Sequence, residues 1–138
     1  MPAVISSIAI DALDPPLLAR FWTQALGYRV LESNDADVIS LTPADGTGPD
    51  IDIIAVPERK SVKNRLHMDL RSARGTTQEQ EVERLLTLGA VRADVGQGPG
   101  VDWVVLADPE GNEFCVLRRS AEEAALDLQA FLETPAAP

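Results

Sequence analysis

The chain states nearly the same pattern twice. Residues 3–57 give a strand, a helix and three short strands, and residues 64–118 give that order again. In the first half, residues 3–13 (AVISSIAIDAL) are apolar and β-branched, which predicts a strand. Asp14-Pro15-Pro16 then predicts a helix start, with Asp14 as N-cap and proline tolerated in the first turn. Leu17, Leu18, Phe21, Trp22, Ala25 and Leu26 follow at helical spacing, and Gly27 is a natural stop. Strands are expected over 28–33 and 37–42, around a turn at Asn34-Asp35, and over 51–56 after a Pro/Gly/Asp loop at 43–50.

The second half follows a polar connection, Pro57 to Asn64. Residues 65–71 (RLHMDLR) alternate polar and apolar, as a strand with one apolar face does. Residues 77–88 predict an amphipathic helix with Val82, Leu85, Leu86 and Leu88 on its apolar side, stopped by Gly89. Strands follow at 91–94, 101–107 and 112–118, with the turn Asp108-Pro109-Glu110-Gly111-Asn112 between the last two. Residues 120–133 carry a further helical pattern, and Thr134 to Pro138 should fray. The halves align on their helix stops. Ser7 lies 20 residues before Gly27 and His67 lies 22 before Gly89, so the two hold nearly equivalent places on the first strand of each half.

A chain of 138 residues in this order is expected to be one α+β domain: module one over 3–57, module two over 64–118 and a helical tail over 119–138. Its charge excludes several functions. Twelve Lys and Arg against 22 Asp and Glu leave −10, which repels nucleic acid and anionic membrane. There is one histidine, His67, and one cysteine, Cys115, so an internal disulfide and a multi-histidine or Cys/His zinc site within one chain are expected to be excluded. The start of the chain has no basic region followed by an apolar run, and no stretch reaches membrane-spanning length, so a cytoplasmic protein is expected.

The scarce chemistry falls on the second half. Arg65, His67, Asp69 and Arg71 share one strand face and Leu66, Met68 and Leu70 the other. Four polar residues facing inward are costly without partners or water, which favours a wet pocket over a sealed core. His67 is then a metal ligand or a general base oriented by Asp69, or else a structural histidine bonded to a neighbour. Cys115 is a thiolate nucleophile, a metal ligand or a small buried hydrophobe. Glu113 lies two residues before Cys115, so both point to one face; it is a general base, or an ion-pair partner of Arg65 or Arg71. Trp103 and Val105 form either an apolar wall for a ligand or part of the core. Arg59, Lys60, Lys63 and Arg65 make a positive patch that attracts a carboxylate or phosphate substrate, or is a solvated linker.

The two modules, the segment Asp14-Pro15…Leu18-Ala19-Arg20-Phe21-Trp22…Leu26-Gly27-Tyr28 and the turn Asp108–Asn112 resemble the vicinal oxygen chelate superfamily, the glyoxalase, bleomycin-resistance and extradiol-dioxygenase group. The stretch Lys63-Asn64-Arg65…His67…Asp69-Leu70 resembles its uncharacterised glyoxalase-like branch, and the likeness spans residues 3–118. It implies a cup-shaped mixed sheet built from both modules, with the site on the concave face. It further implies lyase- or isomerase-type chemistry on a vicinal-oxygen substrate or, alternatively, non-catalytic sequestration of a small molecule of the bleomycin-resistance type. Metal-using members place a histidine on the first strand, another on the fifth and a glutamate on the eighth, around a divalent cation. By that pattern the fifth-strand position is His67, the first-strand position Ser7 and the eighth-strand position Cys115, so one of the three usual ligands is retained. Cys115 and Asp52 are the candidate partners of His67 on a metal, with Asp50 or Asp52 facing the cup according to register. Ser7, Asp69, Trp103 and Cys115 are implied as substrate-binding, and His67 and Glu113 as catalytic. A homodimer is implied because many relatives pair modules between chains.

Overall fold

The computed structural model describes residues 1–31 and 37–136. Its elements run β1 (Ser7–Ala12), α1 (Pro15–Leu26), β2 (Tyr28–Val30), β3 (Val38–Pro43), β4 (Asp50–Ala55), β5 (Asp69–Leu70), α2 (Gln78–Leu88), β6 (Val91–Arg92), β7 (Val104–Ala107), β8 (Glu113–Val116) and α3 (Ala121–Glu133). The βαβββ order is therefore repeated, and the fold is the expected α+β one. The expected turn at Asn34-Asp35 lies outside the described residues. Among the described residues no helix is long and apolar enough to cross a membrane.

Each module makes its own four-stranded mixed sheet, in the orders β1-β4-β3-β2 and β5-β8-β7-β6. In both, the first strand pairs in parallel with the last and the remaining pairs are antiparallel. The helix ends show why the repeat was legible. The Asp14 carboxylate accepts from the Leu17 N–H at 3.2 Å and caps α1. Thr77 and Ser120 each form a reciprocal capping box, with Gln80 and Glu123. Gly27 leaves α1 at φ +68° and Gly89 leaves α2 at φ +123°, backbone that only glycine adopts without strain.

Register decides which face is core. On β4, Ile51 and Ile53 are fully buried with Leu41 of β3, in the layer that packs on Leu18, Phe21 and Trp22 of α1. Ser7 and Ala9 of β1 stand opposite Asp50 and Asp52 on the other, open face. In the second sheet Leu106, Phe114 and Val116 are buried, while Asp69, Val105, Glu113 and Cys115 share the opposite face. One core serves both modules. Trp22 of α1 meets Phe114 of β8 edge-on at a ring separation of 5.1 Å and Phe21 at 4.9 Å.

Several strands are shorter than their patterns: β6 covers 91–92 of the expected 91–94, β7 104–107 of 101–107 and β8 113–116 of 112–118, and β1 and β5 fall furthest short. The first begins at Ser7, not at residue 3, because its partner ends: the Asp50 N–H donates to the Ser6 carbonyl, and the preceding residue, Pro49, has no N–H to offer. Only Asp69–Leu70 of residues 65–71 are regular strand; Met68 and Leu70 pack on the core as expected, but Leu66, expected on the same apolar face, is 93% exposed because the chain bends at 65–66. The ladder to β8 is carried by the Met68 and Leu70 carbonyls, which accept from Cys115 and Leu117, while the Asn64 N–H turns to a side chain. Helix α3 follows its pattern, yet Leu126, Leu128, Phe131 and Leu132 on it are all exposed.

Candidate functional site

The open face of the second sheet carries a cavity of about 370 Å³. Its apolar wall is Val95, Trp103, Val105 and Leu117, and its polar side is Lys63, His67, Asp69, Glu113 and Cys115, with Gln97 at the edge. Strand alternation explains the set. Val105 stands opposite Cys115 and Asp69 stands opposite Cys115 from the other side, so β5, β7 and β8 each present one side chain to the same level. His67 and Trp103 lie two residues from Asp69 and Val105 and repeat that direction.

His67 and Asp69 form the mouth. Nδ1 of His67 lies 3.2 Å from Oδ1 of Asp69, and both side chains are nearly half exposed. The carboxylate fixes the orientation of the ring and leaves Nε2 for another partner. Cys115 sits beneath, 8% exposed. Burial pushes its thiol above the ordinary range, and the charge and hydrogen bond of Asp69 push the same way against a smaller opposing pull from Lys63. Without a metal Cys115 is therefore a neutral thiol at pH 7 rather than a ready nucleophile.

Glu113 is placed differently from its sequence expectation. Its ion-pair partner is Lys60, at 2.6 Å, rather than Arg65 or Arg71. Its second oxygen accepts the Asn64 N–H at 2.9 Å. Arg71 instead donates to the Arg119 carbonyl. Partial burial pulls the Glu113 carboxyl up, but the Lys60 and Asn64 bonds outweigh it and hold it below the ordinary range. Both oxygens are thus committed to fastening the connection between the modules, 57–64, over the edge of the site. A depressed carboxyl contributes stability that is present above the ordinary glutamate range and is lost as pH falls through the lowered value. Glu113→Gln is accordingly expected to speed amide exchange in residues 57–64 at neutral pH. The wild-type segment should loosen likewise on acidification below the ordinary glutamate range, once intrinsic exchange is corrected for. An unchanged exchange rate in the variant would mean that something other than this carboxylate holds the segment.

Ser7 and Asp52 do not line this cavity. Ser7 is exposed on the edge strand β1, and Asp52 on β4 accepts a 2.6 Å hydrogen bond from Ser40 Oγ. Asp69 takes the place beside His67 and Cys115 that the sequence pattern offered to Asp52: one ligand atom from each of the three lies within 4.8 Å of the others. That trio is a chemically adequate donor set for a divalent cation, combining an imidazole, a carboxylate and a thiol. Lys63 is the cation of the positive patch that reaches the cavity. Its ammonium makes a 3.5 Å contact to the Asn64 carbonyl, long for a hydrogen bond, and so remains available to an anion. Val95 and Gln97 had no sequence signal, because they come from an irregular glycine-rich stretch without period.

Known structures share this fold. A glyoxalase/bleomycin resistance protein/dioxygenase family enzyme from Burkholderia phytofirmans is 22% identical, with a TM-score of 0.60 over 83% of this chain and 97% of its own. The fosfomycin resistance protein FosX from Mesorhizobium loti gives 0.64 at 14% identity, over 91% and 99%. FosX from Listeria monocytogenes, as a mutant complexed with Mn(II) and 1S,2S-dihydroxypropylphosphonic acid, gives 0.65 at 16% identity, over 93% and 99%. At these identities the likeness is one of fold. No curated protein matches in sequence. The sequence pattern of the family described as a glyoxalase-like domain matches residues 7–117, and the chain belongs to that family.

Proposed function

We propose that the chain is a small-molecule enzyme whose substrate is an anionic compound with adjacent oxygens and an apolar tail, bound in the second-module cavity. The observation that carries this reading is the His67–Asp69 pair, set at the mouth of a cavity with one apolar wall and one available cation. Lys63 receives the carboxylate of the substrate, and Trp103, Val95, Val105 and Leu117 receive its tail. The reacting end then meets His67. In the protein without a metal, its free ring nitrogen can take a proton from carbon next to a carbonyl, with Asp69 stabilising the imidazolium that forms. This is the proton movement of lyase- and isomerase-type reactions.

Small α-keto and α-hydroxy acids with alkyl or aryl tails test it. Binding is read from the change in tryptophan fluorescence, since Trp103 lines the cavity while Trp22 is buried in the core, and chemistry from deuterium exchange at the carbon beside the carbonyl. The expected result is exchange that falls about a hundredfold or more in His67→Ala while binding persists. Binding without exchange would replace the enzyme with a sequestering protein, a reading that the neutral Cys115 thiol and the committed Glu113 already favour over nucleophilic chemistry. Absence of both binding and exchange would overturn the site.

We also infer a homodimer in a cytoplasmic setting. The first sheet turns an equally open polar face, with Ser7, Asp50 and Asp52, away from α1, and a second copy offers a surface to cover it. Sedimentation at the concentrations used for binding is the accompanying measurement.

A further inference from the structure

We propose that His67, Asp69 and Cys115 form a zinc site contained wholly within the second module. The proposal rests on reading this cavity as the reaction site, and it sharpens what acts there. The family resemblance implies a cation shared between modules, with a histidine from the first strand and a glutamate from the eighth. Here the first-strand position is Ser7, exposed on β1, and Asp52 is bonded to Ser40. The donor that replaces them is Asp69, two residues after His67 and therefore on the same side of the chain.

Three observations support the site. The first is proximity: one ligand atom from each residue lies within 4.8 Å of the other two. Tetrahedral zinc with these donors needs ligand atoms about 3.3–3.8 Å apart, so closure takes side-chain movements on the order of 1 Å. The second is rigidity. Asp69 is paired in register with Cys115, and the Cys115 N–H donates to the Met68 carbonyl at 3.0 Å, so the backbones that carry the donors are bonded to each other. The third is donor chemistry. A thiolate, a carboxylate and a neutral imidazole bring two negative charges to a divalent ion, and the thiolate selects zinc over manganese, magnesium and calcium. Coordination sends the thiol proton to solvent.

Three protein donors leave one position of a tetrahedral ion open, and the cavity lies beside it. A zinc ion there supplies a Lewis acid for a substrate oxygen. His67 then serves as a ligand, and its role as proton carrier belongs to the metal-free protein.

The test uses the full chain, stripped of metal and titrated with zinc or cobalt alone, with no substrate present. The expected result is about one ion per chain with a dissociation constant below about 1 μM at neutral pH. Cobalt should show a near-ultraviolet thiolate-to-metal charge-transfer band that Cys115→Ser abolishes. His67→Ala and Asp69→Asn should each weaken binding about tenfold or more, and excess manganese should not displace zinc. Circular dichroism of each variant separates lost ligation from lost fold. Cys115 is buried, so Cys115→Ser could unfold the chain; in that case the substitutions at the exposed His67 and Asp69 decide between ligation and its absence. Sub-stoichiometric binding, a cobalt band that survives Cys115→Ser, or affinity untouched by His67→Ala would overturn the site. Tight zinc with no substrate exchange would leave the metal site standing and remove the enzyme reading; substrate exchange in a protein that binds no zinc would do the reverse.

Discussion

Trp22→Ala is expected to cost about 3–5 kcal/mol of unfolding free energy, as large aromatic deletions from a packed core do. Trp22 is 1% exposed. It is the hinge of an aromatic cluster that spans the modules, edge-on to Phe21 at 4.9 Å and to Phe114 at 5.1 Å. Aromatic residues are scarce in this chain: two tryptophans, one tyrosine and three phenylalanines. Three of them meet here, and the truncation removes the ring on which both phenylalanines pack. The truncation also removes the indole N–H that Trp22 donates to Asp108 at 3.0 Å. Urea unfolding followed by the remaining tryptophan, Trp103, measures the loss. A cost under about 1 kcal/mol would mean that α1 does not pack on the second module as described.

Asp108→Ala should cost about 2–4 kcal/mol, because it strips an acceptor from one buried and several part-buried donors at once. Besides the Trp22 indole, its carboxylate accepts the backbone N–H of Glu110 at 2.9 Å and of Asn112 at 3.0 Å, and both its oxygens accept the Asn112 side-chain amide. The same turn carries part of the family resemblance in the sequence, and here its tightness has a cause: Asp108 organises it from inside. A double-mutant cycle with Trp22→Ala should show coupling of about 1 kcal/mol or more, since each substitution removes the other's partner. The pH dependence has a definite sign. Burial pushes the Asp108 carboxyl above the ordinary aspartate range, and the donors only partly offset it. A raised acid contributes most to stability below its unfolded value and loses that contribution as pH rises through the folded one. Asp108→Asn should therefore flatten the stability profile just above the ordinary aspartate range. A profile identical to wild type would show that Asp108 does not titrate there.

What the sequence disclosed and what it withheld divide along a physical line. Helix caps, glycine stops and the Asp108–Asn112 turn are local chemistry, and each lies where its residues predict. The placing of Asp69 on the face of His67 was also legible, because strand alternation is local. That Asp69 rather than Asp52 lies beside Cys115 was not, since it depends on how β5 registers with β8 and on which sheet owns the cavity. The partner of Glu113 was hidden for a related reason. Lys60 sits in a connection without period, and only the path of that connection brings it to the carboxylate.

The second module holds α1 at both ends. Glu110 takes the Leu13 and Asp14 N–H groups at 2.7 and 2.8 Å where the helix begins, and Arg84 donates to the Gln24 and Ala25 carbonyls at 3.0 and 2.8 Å where it ends. The acid stands at the positive pole of the helix and the base at the negative pole. The two repeats are therefore not interchangeable parts. A copy of the first half standing in for the second would bring Thr47 or its neighbours where Glu110 belongs, and Arg84 would have no counterpart on the first helix. The two modules complete each other, and neither could be exchanged for its twin.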